Sequence, residues 1–386
     1  MGTTLSKELT NKITLFLVVA YFAAFPFGQL LRVVYEIGGL TLHFGAIDVI
    51  AGLFVLPYLL GARRHTRATS AFLGMLFVLG FTLVLSVLIN FDIRIVVGAL
   101  YYFRLASYYF FFSVLLHFSG SKKNRANLNK IVAVSLVATT VFGWLQYIFF
   151  YDLRSLKYVG WDDHLYRITG TFLDPTYAGL IFVLGAVYFF YNYLLGKNRN
   201  SLYLALGFLG TSLFTYSRAS FAAALAVLFY LLLVTRKWLF LGIAALFVGV
   251  IPLLPRPSSE GVKLERTYSI VSRVETHMEA LKITRANPLF GIGFNNYCLG
   301  TTADFSSHSC SSSDSSFLTI LAAGGVVGFL AMVYFLLVFG GWPKWRIFVS
   351  TLLVVTVVHS LFSNGLLYPW VLGLLFTGAA LEQARE

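Results

Sequence analysis

The chain has 386 residues, of which 58% are hydrophobic and only 12% charged, about half the charged share of an average soluble domain. That balance excludes a water-soluble protein of this size, because apolar blocks long enough to need a bilayer run from end to end with no soluble domain left over. The net charge of +13 sits in short Lys/Arg clusters between those blocks, so it reads as membrane topology and not as a nucleic-acid footprint.

In chain order, blocks of spanning length are predicted at 13–31, 42–60, 70–89, 95–117, 130–150, 174–196, 201–217, 219–235, 237–254, 314–340, 347–363 and 365–382. They predict an all-α polytopic membrane protein of about twelve transmembrane helices, one integral membrane domain over 1–386. The first block, Ile13 to Leu31, has no small-residue cleavage site behind it and reads as a span. The connections alternate in charge. One set carries Lys7 and Lys12, then Arg63, Arg64 and Arg67, then Lys122, Lys123, Arg125 and Lys130. It continues with Lys197 and Arg199, Arg236 and Lys237, Lys344 and Arg346, and Arg385. This set is nearly free of acid, so the positive-inside rule makes it cytoplasmic, together with both termini. The other set consists of short turns and two longer loops, 151–173 and 255–313, the latter between the ninth and tenth spans. These face outward.

The loop 255–313 is the one sizeable extramembrane segment. A helix is predicted over 267–285, with Ile270, Val271, Val274, Met278, Leu281 and Ile283 spaced as the apolar face of an amphipathic helix lying on the membrane or on the spans. Asn287 and Pro288 stop it. Both cysteines, Cys298 and Cys310, lie beyond. An outward position permits a bridge between them, and two unpaired thiols fit the spacing equally.

Ionisable groups at membrane depth need a reason. Arg104, near the middle of the fourth span, either pairs with Asp48 of the second span or binds an anion from the outer side. Arg218 sits in a tight outer turn with little room for a large basic side chain. Arg167 ends the smaller outer loop, just before Gly170 and Pro175. The planar fork of an arginine suits phosphate oxygens, so Arg167, Arg218 and Arg104, joined by Arg285, form a candidate site for a polyanion such as pyrophosphate. Arg266 or Arg273 could join them too, but the polar face of the amphipathic helix is the favoured reading of both. His308 and Asp314, at the end of the large loop, are candidate general bases. Asp314 also suits the N-cap of the tenth span. Trp161-Asp162-Asp163-His164 has no second cluster at ligand spacing and is a weak metal signal.

Four segments, taken in order, carry a resemblance. They are Arg167-x-x-Gly170-Thr171-Phe172; Tyr216-Ser217-Arg218; Asn287-Pro-Leu-Phe-Gly-Ile-Gly-Phe-Asn-Asn-Tyr297; and Asp314-Ser-Ser-Phe-Leu-Thr-Ile-Leu-Ala-Ala-Gly-Gly-Val-Val-Gly328. Together, over about residues 95–340, they resemble the O-antigen ligase and O-antigen polymerase superfamily. The resemblance implies a glycosyltransferase of GT-C type in the bacterial inner membrane, metal-independent and without a cofactor. The donor would be a glycan on undecaprenyl pyrophosphate at the periplasmic face, and the acceptor another glycan or the lipid A core. It assigns Arg167 and Arg218 to the pyrophosphate. Ligases of the family usually carry His where this chain has Asp314, and the nearest His here is His308, six residues earlier. That departure favours polymerisation of O-antigen or exopolysaccharide repeat units over ligation to lipid A core. A glycan transporter is the rival from another class, but no internal repeat of the kind transporters often carry is legible. Membrane lipids are the remaining expected partner, and no nucleic acid.

Overall fold

A computed structural model describes residues 2–37, 40–89, 92, 95–257, 259–265, 267–301, 312–341 and 346–383. The helices are α1 (Gly2–Ala24), α2 (Ala46–Leu53), α3 (Val55–Leu59), α4 (Arg67–Ile89), α5 (Ile95–Phe118), α6 (Lys122–Phe149) and α7 (Pro175–Gly196). They continue with α8 (Arg199–Leu213), α9 (Arg218–Thr235), α10 (Leu239–Val250), α11 (Tyr268–Ala286), α12 (Ser316–Gly340), α13 (Ile347–Ser360) and α14 (Pro369–Gln383). Among the described residues, seven helical segments are long and apolar enough to cross a membrane, and three shorter apolar ones lie at Ala46–Leu59, Leu239–Leu253 and Ile347–Ser360. The chain is an all-α polytopic membrane protein.

Burial separates the helices by role. α7 is buried without a break from Ala178 to Phe190 and α14 along all but its last residue, as expected of helices that are apolar all round and sit at the centre of a bundle. α7 packs on α8 and α13, and α14 on α5 and α13. Phe16, Phe77, Leu88, Leu233 and Leu253 are exposed on the outer helices, where hydrocarbon takes the place of water.

Two places depart from the predicted spans. The block 42–60 is not one helix. Its start belongs to an antiparallel hairpin of β1 (Arg32–Ile37) and β2 (Leu40–Gly45), in which Arg32 opposes Gly45. The remainder is two short helices parted at Phe54. Pro57 has no N–H to give the carbonyl four residues back, which explains the break.

The second departure is in α12, which is interrupted at Gly325 (φ +62°). A broken helix at membrane depth must find other partners for its backbone. Here the segment after α11 supplies them. Val326 N–H donates to Pro288 O at 2.9 Å and Val327 N–H to Leu289 O at 3.2 Å, while Ile292 N–H donates to Ala322 O at 3.2 Å. A side chain at Gly325 or Gly291 would collide with this backbone. Further on, Ser86 of α4 donates to Ile292 O at 2.8 Å, and Asn296 Nδ2 donates to Ser86 at 3.2 Å. The run Asn287 to Tyr297 is therefore the plug that satisfies a broken helix and docks α11 onto the bundle.

α11 is the helix expected, and its apolar stripe divides between an exposed part and a part that meets the bundle. Ile270, Val271, Val274 and Met278 are exposed, whereas Ala280 and Ile283 are buried with Tyr297 and Ala322. The face that meets the bundle also carries Arg273 and Thr276, three and four positions apart from Ala280 and one another as helical neighbours require.

Candidate active site

The three loop-end segments with family-like motifs are each held by local chemistry. Before α7, Gln146 Oε1 accepts from Thr169 N–H at 2.9 Å and Gly170 N–H at 3.1 Å. Gly170 takes φ +55° and Leu173 φ +59°, and the Asp174 carboxylate then caps α7 by accepting from the Thr176 and Tyr177 amides, with Pro175 at the first helical position. Arg167 is buried, its Nε donating to Thr215 O at 2.9 Å. Its Cδ lies 3.0 Å from where a Cβ on Gly261 would be, so the arginine joins the small loop, the α8–α9 turn and the large loop.

In that turn, Tyr216 adopts a left-handed conformation (φ +50°) and Ser217 caps α9 by accepting from Ser220 N–H at 3.3 Å. Arg218 is thereby the first residue of α9, half-buried, and its Nη1 donates to Leu264 O of the large loop at 3.1 Å. The Tyr-Ser-Arg order is thus a turn residue, a cap and an aimed guanidinium.

The acid lies across from it. Asp314 precedes α12 by two residues, and Ser315 occupies the N-cap without a side-chain bond, so the expected capping role of Asp314 is not the one found. Its carboxylate faces α11 instead, with Oδ2 3.4 Å from the Thr276 hydroxyl. Burial pushes the Asp314 carboxyl above the ordinary carboxylate range, and Asp174 nearby adds to this; the Arg273 charge, the Thr276 hydrogen bond and His277 oppose it. Arg273 also stands close enough to Arg218 for their charges to repel. Tyr177, whose ring stacks on Tyr368 at 4.4 Å, lies within electrostatic reach of both Asp174 and Asp314.

Arg218, Arg273 and Asp314 therefore form one cluster, with Arg167 buried beside it behind the turn at Thr215. Arg104 lies elsewhere, with Nη1 3.8 Å from Asp48 Oδ2. Arg285 is exposed on α11 twelve positions past Arg273, about 18 Å along the helix axis. His308, the second candidate base, lies outside the described residues. Cys298 is disulfide-bonded, and Cys310, the chain's other cysteine, is also outside them. Sequence reading passed over Asp174 and Thr276 and, of the two roles it gave Arg273, favoured the polar helix face over the arginine site. The signal available was the three-residue spacing of Arg273 and Thr276, without any indication of which side of α11 meets the bundle. Among the described residues, no three His, Cys, Asp or Glu side chains gather as metal ligands.

The multi-pass helical bundle thus gathers two arginines and a half-buried carboxylate. Residues 202–333 match the family model described as O-antigen ligase. The matched segment runs from α8 into α12 and contains Arg218, Arg273 and Asp314. Over those residues the chain resembles the O-antigen ligase and polymerase superfamily, and the match supports a glycan-transferring ligase or polymerase function in general terms. Among curated proteins, none matches the chain.

Proposed function

We propose that this protein transfers a glycan from an undecaprenyl-pyrophosphate carrier to a sugar hydroxyl, polymerising repeat units of O-antigen or exopolysaccharide. In this reading it lies in the bacterial inner membrane with both termini cytoplasmic, and the loops 151–173 and 255–313 are periplasmic. The observation that carries the reading is that the Asp314 carboxylate is held 3.4 Å from the Thr276 hydroxyl of α11, within electrostatic range of Arg273, which is in turn within range of Arg218.

The chemistry divides between them. The acceptor hydroxyl oxygen attacks the anomeric carbon of the donor glycan, and the bond from that carbon to the pyrophosphate oxygen breaks. Asp314 takes the hydroxyl proton. A half-buried carboxylate with a raised pKa is a stronger base than a fully exposed one, which suits that task. The pyrophosphate leaves with its electron pair, and Arg218 and Arg273 stabilise the charge that develops on it. Arg167 is buried with its Nε bonded to backbone, so it acts by holding the turn that aims Arg218.

The test uses a strain lacking this protein that makes a lipid-linked surface glycan. Wild type and Arg218→Ala are expressed at matched membrane levels and the glycan is resolved on a gel. A ladder of repeat lengths with wild type and single repeats with the variant is expected. Long chains that persist on the carrier but never reach lipid A would identify a ligase. Full restoration by both proteins would remove Arg218 from the site.

A further inference from the structure

The first turns of α7 and α9 meet at one buried imidazole, which also holds the segment against which α12 begins. His359, one residue before the end of α13, is fully buried. Its Nε2 lies 3.2 Å from Thr176 O of α7 and 3.4 Å from the Ser220 hydroxyl of α9. Its Nδ1 lies 2.8 Å from the Ser363 hydroxyl.

These distances fix the direction of each bond. A neutral imidazole has one donor and one acceptor nitrogen, and a carbonyl can only accept. Nε2 therefore carries the proton, shared between Thr176 O and Ser220 Oγ, and Ser363 donates to Nδ1. The Ser220 hydroxyl can then donate to Ser217 Oγ at 3.0 Å. Ser217 is the cap of α9, and the next residue is Arg218. On the other side of the ring, Ser363 O accepts from the Ser316 hydroxyl at 3.4 Å, and that hydroxyl accepts from Leu366 N–H at 3.0 Å. Ser316 is the first residue of α12, two after Asp314. One ring thus ties together the starts of α7, α9 and α12, which carry or adjoin Asp174, Arg218 and Asp314.

Stability alone would not select a histidine here. The imidazole loses its hydration on burial, a penalty that an apolar side chain of like volume avoids. The packing itself asks only for closeness: a Cβ on Gly179, three residues past Thr176, would collide with the Ser220 side chain. What the ring adds, and a leucine lacks, is a donor and an acceptor on opposite edges of a rigid plane. These set where one helix start stands relative to another.

We infer that His359 is a positioning residue of the transfer site, which holds the start of α9, and with it Arg218, in fixed register with Asp314 at the start of α12. It touches no reacting atom. The inference rests on the transfer reading above, in which Arg218 meets the leaving group and Asp314 the acceptor. A shift of one against the other by about 1 Å is enough to lose about a hundredfold in rate.

The experiment measures kcat and KM for a carrier-linked glycan donor, per folded molecule, on the full-length protein in lipid vesicles. His359→Leu is expected to lower kcat by about tenfold or more and to change KM by less than about threefold, because the charge that Arg218 meets develops after binding. His359→Gln sets an amide N–H near the place of Nε2–H and is expected to bring kcat back to within about threefold of wild type. His359→Asn, one bond shorter, cannot reach Thr176 and is expected to stay as slow as His359→Leu. Wild-type kcat in His359→Leu overturns the proposal, as does a change in KM alone. Equal loss in all three variants assigns the effect to packing and overturns it too. If His359→Leu yields no folded protein, Ser220→Ala and Ser363→Ala read the ring from either side. Each is expected to lower kcat by about fivefold, the scale of one hydrogen bond, and wild-type kcat in both overturns the proposal. The two readings fail differently. No transfer by wild type sinks the transfer reading and this role with it. Transfer that Arg218→Lys slows and His359→Leu does not leaves the transfer reading standing and removes only His359.

Discussion

The Thr276 hydroxyl accepts from the Asp314 amide at 3.4 Å, and its single proton lies between the Arg273 carbonyl at 3.1 Å and the Asp314 carboxylate at 3.4 Å. A hydroxyl on α11 thereby fixes the residue that leads into α12. Thr276→Val keeps the shape and removes these bonds. Because the Thr276 bond favours the ionised carboxylate, its loss raises the Asp314 pKa, and the acid limb of the turnover profile moves to higher pH. A merely structural threonine would lower the yield of folded protein and leave that limb in place.

The pH dependence of wild type follows from the same carboxylate. Burial holds the Asp314 proton to a higher pH than a free aspartate, whose pKa is about 4. A base must be ionised to act, so activity is expected to fall as pH drops through this raised value. For stability the sign is opposite: the neutral form is favoured in the fold, so that contribution is present at low pH and is lost as pH rises through the raised pKa. Asp314→Asn should therefore melt no lower than wild type near neutral pH. A thermal melt beside a pH–rate profile checks both statements.

Arg167 and Arg218 should separate when each is replaced by lysine. Arg167 is buried, and its Nε bonds Thr215 O. Arg167→Lys is expected to cost about 2 kcal/mol of stability, the scale of a charged buried hydrogen bond, and to lower membrane abundance. Arg218→Lys keeps a charge at the start of α9 but loses the fork. It should fold normally and weaken transfer by about tenfold or more. Quantified membrane levels beside turnover per molecule distinguish the two.

Gly325→Ala tests the plugged helix. Gly325 has φ +62°, and an added Cβ would meet the Leu289 and Phe290 backbone. Neither the conformation nor the contact can relax without parting the segment from α12. A loss of about 3 kcal/mol or more is expected from strain and collision together, read as loss of folded protein in detergent. Gly74 has open space around its Cβ direction, so Gly74→Ala serves as the tolerated control.

The helices were legible because hydropathy reports the bilayer directly. α4, α5, α7 and α9 fall within a few residues of the blocks at 70–89, 95–117, 174–196 and 219–235. The hairpin at Arg32–Gly45 was not, since its residues merge with the apolar blocks on either side. The break at Gly325 was hidden for a related reason: a glycine pair inside an apolar run looks like any tight helix contact until the partner backbone is known. In α11, periodicity located a helix and an apolar stripe, but at a membrane surface the stripe need not be the face that meets the protein. The polar face was therefore favoured for Arg273, although its charge reaches both Arg218 and Asp314.

The most direct test of the transfer mechanism is a single-turnover measurement on purified protein in vesicles, with carrier-linked glycan in both leaflets, comparing wild type with Asp314→Asn. The account predicts that the variant folds, binds the carrier-linked donor as wild type does, and forms product at least about a hundredfold more slowly, the scale of a lost general base. Turnover by Asp314→Asn at the wild-type rate, with the same pH profile, would contradict it.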